Sequence, residues 1–217
     1  MSNAIDGLIR KYRRSSDTPP DIPDEWLARL EVASNTMRPS SPRDRWRWIF
    51  DDWHPDLPVP RDDFDAYTSA INDSRVVAIR EILQEDGLDS VTRLAMEVKL
   101  PWAVGAALAS VVTADEVRAV LQRLESPEPR LVQFADSFAR FHLRQDASLV
   151  RPWIDEFADH PRVRARLLLT IADVEVAWRI AESLGGEAEN IYWAEFEPHG
   201  RGQGYCVAVR VLVAARH

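Results

Sequence analysis

Two arginine–histidine pairs have a spacing that could support phosphodiester cleavage. Arg47 precedes His54 by seven residues, and Arg210 precedes His217 by the same interval. On one face of a helix, the guanidinium could hold a scissile phosphate while the imidazole acts as general base. Such pairs also arise by chance here, because the 217 residues include 25 arginines and 5 histidines. A small helical ribonuclease or hydrolase is therefore an alternative rather than the leading hypothesis.

Other arrangements that could do chemistry are weaker. The loop Gly200-Arg-Gly-Gln-Gly204 precedes an apolar stretch, which is where phosphate-binding loops occur. It lacks the Gly-Lys-Ser/Thr sequence of such loops, so we interpret it as a turn between helices. Adjacent acidic residues on a helix point about 100° apart and form no carboxylate dyad. Cys206 is the single cysteine, and no histidine has a histidine or cysteine partner at metal-ligand spacing. We therefore expect no cofactor, no metal and no catalytic residue.

Composition predicts a protein with a packed core. Apolar residues make up 46 % of the chain, and the net charge is −8. A net anion is repelled by phosphate, which argues against nucleic acid as a partner. No segment reaches the roughly 18 apolar residues of a membrane span, and the N-terminus lacks the apolar stretch of a signal peptide. We expect a cytoplasmic protein that does not bind membranes.

The apolar periodicity is helical along nearly the whole chain. It predicts an all-α fold of stacked antiparallel helical hairpins, an α-solenoid-like array with no sheet. Residues 1–217 would form a single domain, with a looser part at 1–60 and a more regular array at 61–217. The stretch AALASVVTADEVRAVLQRL, beginning at Ala106, and RLLLTIADVEVAWRIAESL, beginning at Arg166, form a faint internal repeat. The stretch VAVRVLVA is the best strand candidate, but its apolar residues also have helical spacing, and we interpret it as helix.

Several boundaries follow from local signals. The segment beginning at Asp62 predicts one long helix, or two in series, ending at Gly87. Thr113 and Ser148 have the residue types that favour helix N-caps. Prolines at the first turn of several segments suit the start of a helix.

One local cluster combines basic and aromatic residues. Arginines alternate with tryptophans in the sequence RDRWRWIFDDW, and an exposed Trp48 could stack on a base or contact a partner protein. In the interpretation that we favour, these arginines pair with Asp44, Asp51 or Asp52, while Trp46 and Trp53 face the core on the same stripe as Ile49 and Phe50. The residues that we name as candidates for partner binding are Arg43, Arg45, Arg47 and Trp48.

The C-terminal stretch supplies a second candidate surface. Apolar residues occur around most of the circumference of the predicted last helix, from Val207 to Val213. Such a helix needs cover on more than one side. We therefore expect a neighbouring partner or further helices at Val209, Leu212 and Val213.

Four stretches resemble a known class of protein. RWRWIFDDWHPDL, LPWAVGAAL, ENIYWAEFEP and VRVLVAARH are similar to the α-helical repeat regions of very large multidomain bacterial proteins, across residues 45–217. Some of those proteins accompany NTPase or other effector domains in antiphage defence. The resemblance implies a scaffold or sensor segment that is followed by further helical pairs.

These observations favour a non-enzymatic helical-repeat scaffold or sensor module, which binds another protein or further repeats of a larger bacterial chain. One alternative is the small helical ribonuclease or hydrolase. Another is an acidic inhibitor or immunity-type protein that binds a basic partner, because the net charge of −8 would complement such a partner.

Overall fold

The computed structural model describes residues 23–57, 59 and 61–196, together with Gly7 and Ile9. Over these residues the chain is all-α, with ten α-helices, three short 3-10 helices and no strand. The predicted fold class is therefore confirmed as all-α, whereas the solenoid-like stacking of hairpins stays a prediction. The stretch VAVRVLVA lies outside the described residues.

Most of the helices follow one another through short connections, and the longest connection is residues 51–63. Their bounds are α1 Asp24–Thr36, α2 Pro42–Trp46, α3 Phe64–Glu97, α4 Pro101–Leu108, α5 Ala114–Leu121, α6 Pro129–Gln145, α7 Val150–Glu156, α8 Pro161–Leu169, α9 Val174–Leu184 and α10 Gly186–Glu195. The 3-10 helices are Arg47–Phe50, Gln122–Glu125 and Ala147–Leu149.

Two compact units make up the chain. One unit ends at Phe138 and the other begins at Ala139, so their boundary falls inside α6. This boundary does not coincide with the predicted change from a looser part at 1–60 to a regular array at 61–217. The expected organisation as a single domain stays a prediction.

Local sequence signals account for several helix ends. Gly87 adopts a φ of 73°, which interrupts the long α3 at the position where the sequence predicts an end. Thr113 is the N-cap of α5, as predicted, and its amide donates to the Glu116 carboxylate at 3.0 Å, the backbone half of a capping box. The prediction for Ser148 is wrong. Asp146 is the cap there, and its carboxylate accepts from the Ser148 amide at 2.9 Å.

In the first unit, α3 is central because it packs against both α2 and α4. Its buried side chains are mostly aliphatic, and removing them from water supplies the main driving force for this packing. At Gly105, α4 approaches the backbone of α6 so closely that a Cβ atom would lie 3.2 Å from the Phe138 nitrogen. The largest fully buried core residues here are Ile49, Phe50, Ile79, Ile82, Leu94, Leu108, Leu121, Leu124, Phe134 and Phe138.

In the second unit, α8 packs against α7, α9 and α10. Arg166 of α8 makes a bidentate ion pair with Glu195 of α10, with N–O distances of 2.8 and 3.0 Å. The two parallel hydrogen bonds fix the relative rotation of these helices as well as contributing energy. Phe157, Leu167, Leu168 and Tyr192 form the buried apolar centre of this unit.

Candidate functional site

The arginines of the basic-aromatic cluster are engaged with acidic residues. Arg45 pairs with Glu81 of α3, and the same carboxylate accepts from the Trp46 indole nitrogen at 2.6 Å. Arg43 lies 3.8 Å from Glu97, which is also 3.6 Å from Arg47. These pairs join α2 and the following 3-10 helix to α3. The interpretation in which the arginines neutralise nearby acids is thus supported, although most of the partner carboxylates come from α3.

The tryptophans do not have the expected exposures. Trp48 is half-buried rather than exposed. Ile49 and Phe50 are fully buried, as predicted, and Trp46 is half-buried. The prediction that Trp53 faces the core is wrong, because 62 % of its surface is exposed. Trp53 lies in the loop that follows the 3-10 helix ending at Phe50.

Arg75 is the residue that holds this loop. It lies on the buried face of α3, and its guanidinium donates to the carbonyl oxygens of Ile49 at 3.1 Å and Asp52 at 2.9 Å. The guanidinium also lies over the rings of Phe50 and Trp102, at 6.0 and 5.7 Å from their centroids. Burial lowers the pKa of Arg75 to about 10, partly offset by the Asp52 charge, so the group stays protonated at neutral pH.

Three further hydrogen bonds fix the backbone on both sides of Trp53. The Leu100 amide donates to the Phe50 carbonyl at 3.0 Å, and the Lys99 amide donates to the Asp51 carboxylate at 2.9 Å. On the other side, the buried Tyr67 hydroxyl donates to the Pro55 carbonyl. The loop is therefore anchored to α3 and to the start of α4, although it has no regular secondary structure at Trp53.

Two pairs of rings form where this loop meets the starts of α3 and α4, and we call their four residues, Trp53, His54, Phe64 and Trp102, the aromatic surface. The ring centroids of Trp53 and Trp102 are 4.8 Å apart, and those of His54 and Phe64 are 6.2 Å apart. Phe64, at the first position of α3, is 65 % exposed. Two large aromatic side chains thus remain open to solvent beside a rigid backbone. Exposed apolar patches of this kind mark binding sites.

Sequence reasoning did not identify the aromatic surface or Arg75. Arg75 does have a sequence signal, because it occupies a position on the apolar stripe formed by Ile71, Ala78 and Ile79. An arginine on a core-facing stripe needs buried acceptors. The sequence alone did not say that those acceptors would be loop carbonyl groups.

The residues that could do chemistry are dispersed. Over the part of the chain that the structure describes, no group of three or more His, Cys, Asp and Glu side chains could hold a metal ion. Arg47 is ion-paired with Asp51 and Glu97, while the His54 ring lies edge-on to Phe64. Arg210, His217 and the glycine loop at 200–204 lie outside the described residues, as do Val209, Leu212 and Val213.

One surface cavity in the first unit has a volume of about 510 Å³. It lies between α3 and the connection from α4 to α5. Its charged residues are Arg80 and Glu116, and the Glu116 carboxylate already accepts from Thr113. Its lining residues are Arg80, Leu83, Gln84, Ser110, Val111, Thr113 and Glu116, which include no histidine, cysteine or carboxylate pair.

A second aromatic group lies in the second unit. The rings of Trp178, Tyr192, Trp193 and Phe196 contact one another with centroid distances of 5.1 to 6.1 Å. Tyr192 is fully buried, and this burial raises the pKa of its hydroxyl above its ordinary value. Trp178, Trp193 and Phe196 are half-buried, so this group is less exposed to solvent than Trp53 and Phe64.

No protein-family model matches the chain, and comparisons with curated proteins and with solved structures give no match either. Among the described helices, none combines the length and the apolar character that crossing a bilayer requires.

Proposed function

We propose that this chain is a non-catalytic binding module and that it contacts another protein through the aromatic surface. The observation that carries the proposal is that Trp53 is exposed although the backbone just before it is held in place. This side chain is 62 % exposed, yet Arg75 holds the carbonyl groups of Ile49 and Asp52 just before it. An exposed tryptophan without a partner leaves a large apolar area in water, which favours association.

The anchoring has a direct consequence for affinity. Binding usually loses free energy because loops and side chains become ordered at the interface. Here the loop backbone is already fixed by α3 and by Leu100, so that cost is small. Tryptophan is also the residue type most often found among the few residues that dominate binding energy.

The position of the surface differs from the candidate residues that the sequence suggested. The ion pairs of Arg43, Arg45 and Arg47 with α3 favour a structural role for these arginines, and Trp48 is half-buried. In this proposal they support the loop, whereas Trp53 and Phe64 make the contact. A role as a scaffold or sensor segment of a larger chain, as the resemblance implies, belongs to the same proposal.

Site-specific photo-cross-linking tests the proposal. A photoreactive phenylalanine analogue placed at Trp53, in the cell from which the sequence comes, is expected to give one dominant adduct with another protein. The same analogue at Gln122, an exposed residue of the first unit, serves as the control and should not give that adduct.

The captured protein is then purified and its binding to the full chain is measured directly. Trp53→Ala and Phe64→Ala should each weaken binding by about tenfold or more. Arg80→Ala, which removes an exposed arginine outside the aromatic surface, should leave binding unchanged. Equal adducts from Trp53 and Gln122, or affinities that do not respond to Trp53→Ala, would contradict the proposal.

A further inference from the structure

The charge around the aromatic surface is strongly one-sided. The stretch DDWHPDLPVPRDDFD, residues 51–65, contains six aspartates and one arginine, a net charge of −5 out of −8 for the whole chain. Trp53 and Phe64 both belong to this stretch. Most of the protein's net negative charge thus belongs to the segment that holds Trp53 and Phe64, the most exposed aromatic side chains among the described residues.

Some of these carboxylates already have structural roles. Asp51 lies 3.5 Å from Arg47 and accepts from the Lys99 amide, and Asp56 lies 3.3 Å from Arg61. Asp63 caps α3 by accepting from the Ala66 amide. These interactions explain three of the six aspartates as parts of the fold.

Two other carboxylates, those of Asp62 and Asp65, have no structural role among the described residues. Asp62 and Asp65 flank Phe64, both are exposed, and neither makes an ion pair or side-chain hydrogen bond with any residue that the structure describes. Asp52 is exposed as well, and its carboxylate accepts from the His54 amide. The nearby cations are mostly committed, since Arg61 pairs with Asp56 and Arg75 is buried; Lys99 is exposed.

The chain itself shows how arginine meets aromatic rings in this region. Arg61 lies over the ring of Tyr67 at 5.3 Å, and Arg75 lies over Trp102 at 5.7 Å. Such stacking gains electrostatic and dispersion energy, and the planar guanidinium is better suited to it than the lysine ammonium. The exposed part of Trp53 offers the same kind of ring surface to a partner.

We infer that the occupant of the aromatic surface is an arginine-rich segment of another protein, whose guanidinium groups stack on Trp53 and pair with Asp62 and Asp65. This inference rests on the proposed function and adds the chemistry of the partner. Charge complementarity selects a basic segment over an acidic one. It also disfavours nucleic acid, because the phosphates would face Asp52, Asp62 and Asp65.

The test uses the purified full chain and synthetic peptides of equal length and equal apolar content. Their variable positions are all arginine, all lysine, all glutamine or all glutamate, and binding is followed by fluorescence anisotropy of a dye on the peptide. We expect affinity to fall in that order and to weaken as salt is added. A single-stranded RNA probe should bind worse than the arginine peptide.

Matched variants test whether the preference for the arginine peptide depends on Asp62, Asp65 and Trp53. The double variant Asp62→Asn/Asp65→Asn should lower the affinity for the arginine peptide by about two- to fivefold per charge removed. Its affinity for the glutamine peptide should stay unchanged. Asp155→Asn/Asp159→Asn, which removes two exposed charges from the second unit, should have no effect. Trp53→Ser should lower the affinity for the arginine peptide by about tenfold.

Failure of this inference is distinguishable from failure of the proposed function. Binding of no peptide, equal binding of the arginine and glutamate peptides, stronger binding of RNA, or insensitivity to Asp62→Asn/Asp65→Asn would each overturn the basic partner segment. The proposed function would still stand if cross-linking at Trp53 captured a protein through a neutral or acidic segment. It would fall if no specific adduct formed at Trp53.

Discussion

The indole of Trp53 lies 4.8 Å, centroid to centroid, from the indole of Trp102, and Trp102 in turn lies over the buried guanidinium of Arg75. An exposed ring is thereby connected through one half-buried ring to a cation inside the first unit. The same cation holds the backbone just before Trp53. Changes at the centre of this unit should therefore alter the aromatic surface.

Replacing the buried cation should both destabilise the fold and disturb the loop. Arg75→Met leaves the carbonyl groups of Ile49 and Asp52 without their donors, and each unsatisfied acceptor costs about 1–3 kcal/mol. We expect the free energy of unfolding to fall by about 2–4 kcal/mol, measured by urea denaturation. Arg80→Met, an exposed change on the same helix, should stay within about 0.5 kcal/mol of the wild type. Equal effects of the two variants would mean that Arg75 does not hold the loop.

The aromatic surface should contribute little to the stability of the isolated chain. Trp53 is 62 % exposed, and we expect Trp53→Ala to lower the free energy of unfolding by less than about 1 kcal/mol. Phe50, only three residues earlier, is fully buried, and Phe50→Ala should cost about 3–5 kcal/mol. Chemical denaturation of the two variants and the wild type would measure both changes. A large loss for Trp53→Ala would show that this ring is part of the core and not a contact surface.

Glu81 should matter more than its neighbour Glu85. The Glu81 carboxylate accepts from the Trp46 indole at 2.6 Å and pairs with Arg45, whereas Glu85 lies 3.9 Å from Arg45 and is more exposed. Glu81→Ala leaves a half-buried indole N–H without an acceptor, and the expected loss is about 1–2 kcal/mol. Glu85→Ala should cost less than about 0.5 kcal/mol. Thermal unfolding of the two variants side by side measures the difference, and a reversed order would contradict the role of Glu81 as the anchor of α2.

The close approach of α4 and α6 should make Gly105 intolerant of a side chain. A Cβ atom there would lie 2.9 Å from the Phe134 carbonyl carbon, so one backbone must shift. Alanine favours helix over glycine by about 1 kcal/mol, but overpacking of this kind costs about 1–3 kcal/mol. We expect Gly105→Ala to lower the midpoint of thermal unfolding, and Gly105→Ser to lower it further. A more stable Gly105→Ala variant would show that the two helices can separate easily.

His142 should make stability depend on pH. Burial lowers its pKa below the ordinary value of 6.5, so as pH falls below 6.5 the unfolded chain takes up a proton before the folded chain does. The stability that neutral His142 contributes is complete above pH 6.5 and decreases as pH falls towards the lower pKa of the folded state.

His142→Gln should therefore flatten the change in unfolding free energy below pH 6.5. Gln145→Ala, an exposed change on the same helix that alters no titratable group, should keep the wild-type dependence. A pH profile of His142→Gln that matches the wild type would assign the dependence to other groups.

Local signals explain what could be predicted from the sequence. Gly87 and Thr113 were identified because a positive φ and a capping box depend on residues close in the chain. The error at Trp53 has an equally local origin. The prediction continued a helical stripe from Trp46 through Phe50, but the 3-10 helix ends at Phe50 and the chain continues as a loop. Beyond Phe50, helical spacing therefore no longer predicts which side chains face the core.

The sequence by itself determined the all-α character, the interruption at Gly87, the N-cap at Thr113 and the concentration of negative charge at residues 51–65. These depend on periodicity, capping and composition, which act within a few residues. Only the tertiary structure decided that Arg75 would hold the loop, that Glu81 would engage Arg45, and that Trp53 would remain exposed. Those outcomes depend on which carbonyl, carboxylate and ring groups the packing of α2, α3 and α4 brings within hydrogen-bonding distance. Their partners lie about 20 to 50 residues away along the chain, beyond the range of helical periodicity.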